Sequence, residues 1–295
     1  MYQVDASGRM RMRTVAILGT GDAGSAMAQR LLELEFTVRA WNRTESRARP
    51  LEGDGALVFA TAAEAVRAAE VVLITVFDTD AVLDVLDQIA PALAPNTVVL
   101  QSATVGSAIN EVIEAAMRLG VTIVDAPFLG NPGPARRGEL TFMVAGAAEH
   151  KLAAAPVLEA LASNVVDVAD HPGGASLLKL TCNAWLFGTN VMAAQAAALA
   201  ESFGLDPALF IDAVTGTNID SPYLHYKAAQ LAGKSDEVFS PIRAAVKDLG
   251  HIRAAANAAG VPDLLLATLQ RIYDRAVDAG LSDRDLAAVR GVLAR

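Results

Sequence analysis

Several residue types that mark particular protein classes are scarce in this chain of 295 residues. The single cysteine, Cys182, excludes an internal disulfide and suits a reducing cytoplasm. The four histidines do not have the spacing of metal ligands, so we expect no metal. No apolar run reaches the ~18 residues that a membrane span needs. A net charge of −9 argues against a nucleic-acid partner, which is recognised through basic patches.

Hydrophobic residues make up 53% of the chain, enough for a large core. In the first half, short β-branched runs alternate with segments of helical length such as 25–35 and 81–89, and this alternation predicts a parallel sheet covered on both faces. The predicted strands are Thr14–Leu18, Thr37–Trp41, Val71–Val76, Thr97–Leu100, Val121–Val124, Glu139–Val144 and Val165–Ala169.

The second half has a helical pattern throughout, broken by Gly, Asp and Pro clusters. We therefore expect an α/β fold in two domains: a flexible leader over 1–12, a Rossmann domain over 13–175 and an all-helical domain over 176–295. A long helix leads from one domain to the other. The predicted helices are Leu177–Phe203, Ala208–Val214, Tyr223–Leu231, Ile242–Ala259, Leu264–Ala279 and Asp283–Leu293.

A glycine-rich motif, Gly19-Thr20-Gly21-Asp22-Ala23-Gly24, follows the first predicted strand and opens the first predicted helix. In a dinucleotide-binding turn the three glycines allow a tight turn, close approach of the pyrophosphate and close helix–strand packing. The helix N-terminus then offers N–H groups to the phosphates. The strand–turn–helix context makes this spacing a specific indication of a dinucleotide site.

The end of the second predicted strand indicates which dinucleotide binds. NAD enzymes place a carboxylate there for the ribose 2′-hydroxyl, whereas this chain has Asn42, Arg43 and Thr44, with no carboxylate before Glu45. Arg43 can pair with a 2′-phosphate, and its two neighbours can add neutral hydrogen bonds. We therefore expect NADP(H) as the cofactor.

Lys179 and Asn183 are four residues apart in the long predicted helix, so their side chains leave the same face. The flanking residues of Lys179 are leucines and a threonine, and the next charged residue is Glu201. A lone amine in so apolar a segment is either a functional group or a group at the rim of a surface. The first alternative predicts a proton-transfer lysine.

Four separated segments resemble the β-hydroxyacid dehydrogenase family. The glycine turn with residues 42–44 is similar to the family's cofactor site, and 125–127 with 138–144 to its substrate-binding signature. Gly173 with Lys179 and Asn183 resembles its Gly…Lys-x-x-x-Asn catalytic signature. Residues 239–240 and 247–248 resemble its C-terminal pattern.

The resemblance implies hydride transfer between a nicotinamide and the carbon of a small carbonyl or hydroxy substrate. Lys179 is then the general acid or base, and Asn183 orients the substrate or the lysine. Thr104 and Lys247 are implied near the nicotinamide and the substrate, and residues Val76, Phe77 and Asp78 near the adenosine. The resemblance also implies a homodimer, or a tetramer, formed through the helical domains.

The chain departs from the family at the substrate loop Phe128, Leu129, Gly130 and Asn131, where the family has a hydrophobic residue followed by Ser-Gly-Gly. Leucine cannot donate a hydrogen bond to a carboxylate, and an unpaired desolvated carboxylate is costly. We therefore expect a substrate other than an ordinary short 3-hydroxy acid, such as a larger or less polar carbonyl compound, which Asn131 can anchor.

Two alternatives stay open. Imine reductases share the predicted architecture and have an apolar site, although they usually carry Asp or Tyr at the position of Lys179. A non-catalytic NADP-binding module is the other, and it requires neither Lys179 nor Asn183. Turnover of a carbonyl compound that is lost in Lys179→Ala distinguishes all three.

Overall fold

The computed structural model describes residues 13–293, and the predicted leader over 1–12 lies outside them. The chain divides into two compact units, which meet in sequence between Lys179 and Leu180. The domain boundary expected after residue 175 stays a prediction.

The first unit is built on one sheet, with the strand order β3-β2-β1-β4-β5-β6-β8-β7 and β9 paired to β8. Its central strands are parallel neighbours, and several are apolar on both faces, as strands covered by helices on both sides must be. The strands are β1 Thr14–Leu18, β2 Thr37–Trp41, β3 Leu57–Val58, β4 Val71–Ile74, β5 Val98–Gln101, β6 Ile123–Asp125, β7 Phe128–Leu129, β8 Leu140–Ala145 and β9 Ala162–Ala169.

Two apolar clusters cover the sheet. One holds Met27 and Leu31 of the first helix with Val157 and Leu161 of the sixth. The other holds apolar residues of the second, third and fourth helices, such as Leu86. The helices are α1 Asp22–Glu33, α2 Ala62–Val66, α3 Thr79–Ile89, α4 Ile109–Leu119, α5 Pro132–Arg137 and α6 Ala148–Leu161.

The predicted parallel sheet is confirmed for β1 to β6, and only one edge contains antiparallel pairs. Strand β8 runs antiparallel to both β6 and β7, whereas β9 is parallel to β8. The segments between β6, β7 and β8 are short, and α5 is a helix of only six residues. A parallel connection needs a crossover of a dozen or more residues, which this edge does not have.

The second unit is helical, and α7 leads into it. Its core gathers Phe187 of α7, Leu249 of α10 and the fully buried Tyr273 of α11. Within residues 13–293, no helix is both long and apolar enough to cross a membrane. The helices are α7 Gly174–Ser202, α8 Ala208–Val214, α9 Pro222–Leu231, α10 Ile242–Ala258, α11 Leu264–Asp278 and α12 Arg290–Leu293.

The helix expected over 283–293 is wrong in its first half. Asp285 is a cap, accepting from the backbone N–H of Ala287, and a 3₁₀ turn over Leu286–Val289 precedes the short α12. The carboxylate of Asp285 also binds Lys227 on α9, at 2.8 and 2.7 Å. This buried ion pair holds residue 285 away from a helical path.

Candidate active site

The glycine turn after β1 is fixed by its fit against β4. Gly19 has φ +105°, and a Cβ there would lie 2.8 Å from the carbonyl carbon of Thr75. A Cβ on Gly24 would lie 2.0 Å from the carbonyl oxygen of Gly19. The hydroxyl of Thr75 donates to the same Gly19 oxygen at 2.7 Å. Both glycines are therefore required for strand, turn and helix to pack this closely.

The middle of the turn is open. Apart from Gly21 and its two chain neighbours, no atom of the described residues lies within 4 Å of the position a Cβ would take on Gly21, and α1 begins at the next residue, Asp22, without a side-chain cap. The first N–H groups of a helix lack intrahelical partners and carry a partial positive charge. An uncapped N-terminus behind an open glycine fits the pyrophosphate of a dinucleotide.

Asn42, which directly follows β2, stabilises the glycine turn through hydrogen bonds. Its side-chain oxygen accepts from the N–H of Thr20 at 3.1 Å, and its amide nitrogen donates to the carbonyl of Thr44 at 3.0 Å. The residue expected to contact the cofactor's 2′-phosphate is thus also a structural link between β2 and the glycine turn. The arginine and threonine that follow it are exposed.

Arginine side chains dominate the surface just after β2. The first carboxylate, Glu45, is bound by Arg49 at 2.6 Å. Arg43 and Arg47 are exposed, and neither guanidinium forms an ion pair with a carboxylate of the described chain. Arg47 was not among the residues expected at the cofactor site. It lies in the 3₁₀ turn Glu45–Arg47, four residues after Arg43, and this short spacing is a local signal that could have indicated it.

The segment after β4 contains the residues expected near the adenosine. Val76 is half-buried and Phe77 is exposed. Asp78 caps α3 by accepting from the N–H of Ala81 at 2.9 Å. Phe77 therefore presents an aromatic side chain at the carboxyl end of the sheet, where ligands bind in open parallel α/β folds.

The end of β5 is shaped by Gln101. Its buried amide folds back on Ala103, donating to the carbonyl at 2.8 Å and accepting from the N–H at 2.9 Å. Thr104 follows directly and is half-buried. The glutamine thus fixes the backbone that presents Thr104 at the same end of the sheet as Phe77.

The substrate loop over 128–131 contains a short strand and a helix cap. Phe128 and Leu129 form β7, opposite Phe142 and Thr141 of β8, and Gly130 has φ +130°. The side-chain oxygen of Asn131 accepts from the N–H of Gly133 at 3.0 Å and caps α5. Asn131, expected to anchor the substrate, thus also caps α5 through its side-chain oxygen.

Lys179 lies in the second turn of α7 and is half-buried. Asn183, one turn further along α7, is only 3% exposed, and its amide nitrogen donates to Asp248 of α10 at 2.8 Å. The side-chain oxygen of Asn183 is buried without a hydrogen-bond partner in the described chain. An orphaned buried acceptor is costly and calls for a donor.

Lys247, next to Asp248 on α10, places its ammonium 3.2 Å from the carboxylate oxygen Oδ1 of Asp248. One turn on, burial lowers the pKa of His251, and the charge of Lys247 lowers it further. Asp248 is thus the group that joins Asn183 to Lys247. Its hydrogen bond to Asn183 spans 65 residues of sequence, so sequence reasoning missed it.

Two family models match the chain. One describes the NAD-binding domain of 6-phosphogluconate dehydrogenase and matches residues 14–169. The other describes the NAD-binding of NADP-dependent 3-hydroxyisobutyrate dehydrogenase and matches residues 173–293. Together with the glycine turn and the open helix N-terminus, these matches define an oxidoreductase that uses a nicotinamide cofactor.

An L-threonate dehydrogenase from Cupriavidus necator is 30% identical over 282 residues, 94% of this chain and 95% of that protein. The crystal structure of a 3-hydroxyisobutyrate dehydrogenase from Salmonella typhimurium has a TM-score of 0.86 and 28% identity, covering 95% of this chain and 99% of the other. The chain belongs to the β-hydroxyacid dehydrogenase family.

An imine reductase from Myxococcus stipitatus is a more distant neighbour. It has a TM-score of 0.62 and 20% identity, covering 97% of this chain and 100% of the other. At this identity the likeness concerns the fold alone. The imine reductase alternative therefore gains no support beyond a shared architecture.

Proposed function

We propose that this protein is an NADP-dependent carbonyl reductase or alcohol dehydrogenase in which Lys179 is the general acid or base. The observation that carries the proposal is the pairing, on one turn of α7, of a half-buried lysine with a buried asparagine whose amide is fixed by Asp248. A bound nicotinamide cofactor would supply or accept the hydride at the substrate carbon.

The choice of NADP(H) rests on the surface after β2. Arg43 and Arg47 offer two exposed guanidinium groups, and Arg49 binds the first carboxylate, which would otherwise repel a phosphate. Guanidinium pairs well with phosphate through parallel hydrogen bonds. The pyrophosphate is held by the open N-terminus of α1 next to Gly21.

Lys179 moves the proton that accompanies hydride transfer. In the reducing direction its ammonium donates a proton to the carbonyl oxygen, and in the oxidising direction its neutral amine accepts the hydroxyl proton. The orphaned side-chain oxygen of Asn183 accepts a hydrogen bond from the substrate or the lysine. The carboxylate of Asp248 holds the asparagine amide in the required orientation.

The side chains of the loop over 128–131 indicate the chemical class of the substrate. The side chain of Leu129 provides no hydrogen-bond donor, and the side-chain oxygen of Asn131 caps α5. A short acid would leave its carboxylate poorly paired against this loop. We therefore propose an aldehyde or ketone with a larger or less charged group at that end.

We also propose self-association through α7. Trp185, Met192 and Leu199 recur every seven residues along this helix, and they are 77%, 66% and 50% exposed. Large apolar side chains at this spacing form a stripe that a second copy can cover. Light scattering of the purified protein tests this directly, and a monomer at micromolar concentration would contradict it.

The proposed reaction is tested by following NADPH oxidation with semialdehydes, larger ketones and cyclic imines. We expect turnover of carbonyl compounds, with the highest kcat/KM for those without a carboxylate next to the reacting carbon. Turnover of imines alone would refute the carbonyl reaction. Tight NADPH binding with no turnover of any compound would favour the non-catalytic alternative.

A further inference from the structure

A buried carboxylate at the end of β6 is joined to the beginning of α7. Asp125 is fully buried and accepts three hydrogen bonds. They come from the N–H of Gly173 at 3.1 Å, the N–H of Ser176 at 2.8 Å and the hydroxyl of Ser176 at 2.7 Å. Because this carboxylate is enclosed and occupied, it is unsuited to bind a substrate directly.

Helix α7 has no local cap that could replace Asp125. The residues before it are His171, Pro172 and Gly173, none of which is a favourable side-chain cap of the Ser, Thr, Asp or Asn type. The first N–H groups of this 29-residue helix nevertheless need acceptors. The carboxylate of Asp125, at the end of β6, acts as this acceptor, and its negative charge complements the positive end of the helix dipole.

Both the charge of Asp125 and the backbone conformation of Gly173 favour this contact at the start of α7. Burial raises the pKa of Asp125, and the hydrogen bonds from Ser176 and the backbone oppose that rise by favouring the carboxylate. Gly173 has φ +117°, a conformation that glycine adopts readily and that ends the turn leading into α7. The contact therefore fixes where the helix begins.

Ser176 and Lys179 are three residues apart, so they lie on neighbouring positions of one helix face. We infer that Asp125 is a positioning residue, which sets the first turn of α7 and thereby the place of the Lys179 amine. Asp125 also begins the segment that leads to the substrate loop, so one carboxylate aligns that loop with the lysine. This inference rests on the proposed role of Lys179.

The glycine turn is made by other contacts. Its partners are Thr75 and Asn42, and Asp125 bonds to none of the turn residues within 13–293. Loss of the Asp125 contact should therefore impair the chemical step and spare cofactor binding. This separation provides a readout that a general loss of stability does not produce.

The main test variant is Ser176→Ala, which deletes one hydrogen bond and leaves the two backbone bonds to Asp125. Its matched control is Thr97→Val, because the buried hydroxyl of Thr97, which directly precedes β5, donates to the carbonyl of Ala69 at 2.8 Å. Asp125→Asn, which keeps the shape and removes the charge, is the second variant. Each is assayed for kcat, NADPH affinity and the primary isotope effect with NADPH deuterated at the transferred position.

We expect Ser176→Ala to lower kcat about tenfold, since a small misplacement of a catalytic group is costly. The isotope effect on kcat should rise, the NADPH Kd should stay unchanged, and Thr97→Val should alter neither kcat nor the isotope effect. Asp125→Asn and the double variant Asp125→Asn/Ser176→Ala should lower kcat by similar factors, because the two substitutions act through one contact.

Wild-type kcat and isotope effect in Ser176→Ala would overturn the positioning role, as would an equal change in Thr97→Val. Lys179→Ala is assayed alongside these variants. If Lys179→Ala retains wild-type turnover, the proposed function itself fails, and there is no catalytic amine for Asp125 to position. The two failures are therefore distinguished by which variant keeps its activity.

Discussion

Arg43→Ala should weaken NADPH binding while leaving NADH binding unchanged. The guanidinium of Arg43 has no carboxylate partner in the described chain, so it is available to a phosphate without first breaking an ion pair. A hydrogen bond to a charged group contributes about 1.5–3 kcal/mol. Because Arg43 is exposed and therefore screened by water and salt, we expect the lower part of that range, a loss of about 10- to 30-fold.

The assay is a fluorescence titration of NADPH and NADH against wild type, Arg43→Ala and Arg49→Ala. Arg49 is the matched control, since it lies on the same surface but is already bound to Glu45. Its loss should weaken NADPH binding less than the loss of Arg43 does, because it acts only by leaving Glu45 unpaired near the proposed phosphate site. Raising the ionic strength should reduce NADPH affinity more in wild type than in Arg43→Ala. Equal weakening of NADPH and NADH in Arg43→Ala would refute the assignment of a 2′-phosphate site.

Two further predictions concern the helical unit and the substrate loop. Asp285→Asn leaves the buried Lys227 without its charged partner, which should cost about 3–5 kcal/mol of stability and lower Tm by roughly 10 °C. Asp283→Asn, in an exposed pair, should change Tm little. Equal Tm values for the two variants would contradict this prediction. Leu129→Ser should raise kcat/KM about tenfold for an acid but not for its methyl ester, and a gain for both would show that size, and not a hydrogen bond, limits the substrate.

The elements that position the cofactor turn could be predicted because their signals are local. β1 and β2 were expected with the bounds that the structure has, and α7 was expected over 177–203 against an observed Gly174–Ser202. Long β-branched runs and an uninterrupted helical pattern need no distant partner to be recognised. Helices α2, α4, α5 and α6 were not given bounds from the sequence, and α5 illustrates why, because prolines and a glycine make up half of it.

The sequence indicates candidate residues for the site but not the contacts that connect them. Lys179 and Asn183 were identified as a pair one helical turn apart, and that spacing is fixed by the helix. The hydrogen bonds that hold this region, from Asn183 to Asp248 and from Ser176 to Asp125, join residues 65 and 51 positions apart. Sequence periodicity contains no information on such contacts, because they depend on which strand end meets which helix.

Two polar residues expected at the site also bond to nearby backbone, which the sequence did not indicate. Asn42 was expected as a ligand of the phosphate, and its side chain bonds to Thr20 and Thr44. Asn131 was expected as a substrate anchor, and its side-chain oxygen caps α5. Short polar side chains next to turns bond readily to nearby backbone, which competes with any role in binding a ligand.

The central claim is that Lys179 transfers the proton, and the most direct measurement is single-turnover NADPH oxidation by wild type, Lys179→Ala and the control Lys234→Ala. Lys234 is exposed in the helical unit and pairs with Asp206. We predict that Lys179→Ala slows the chemical step by about 10²- to 10⁴-fold with unchanged NADPH affinity, while the control keeps the wild-type rate. A chemical step in Lys179→Ala within a few-fold of wild type would contradict the account.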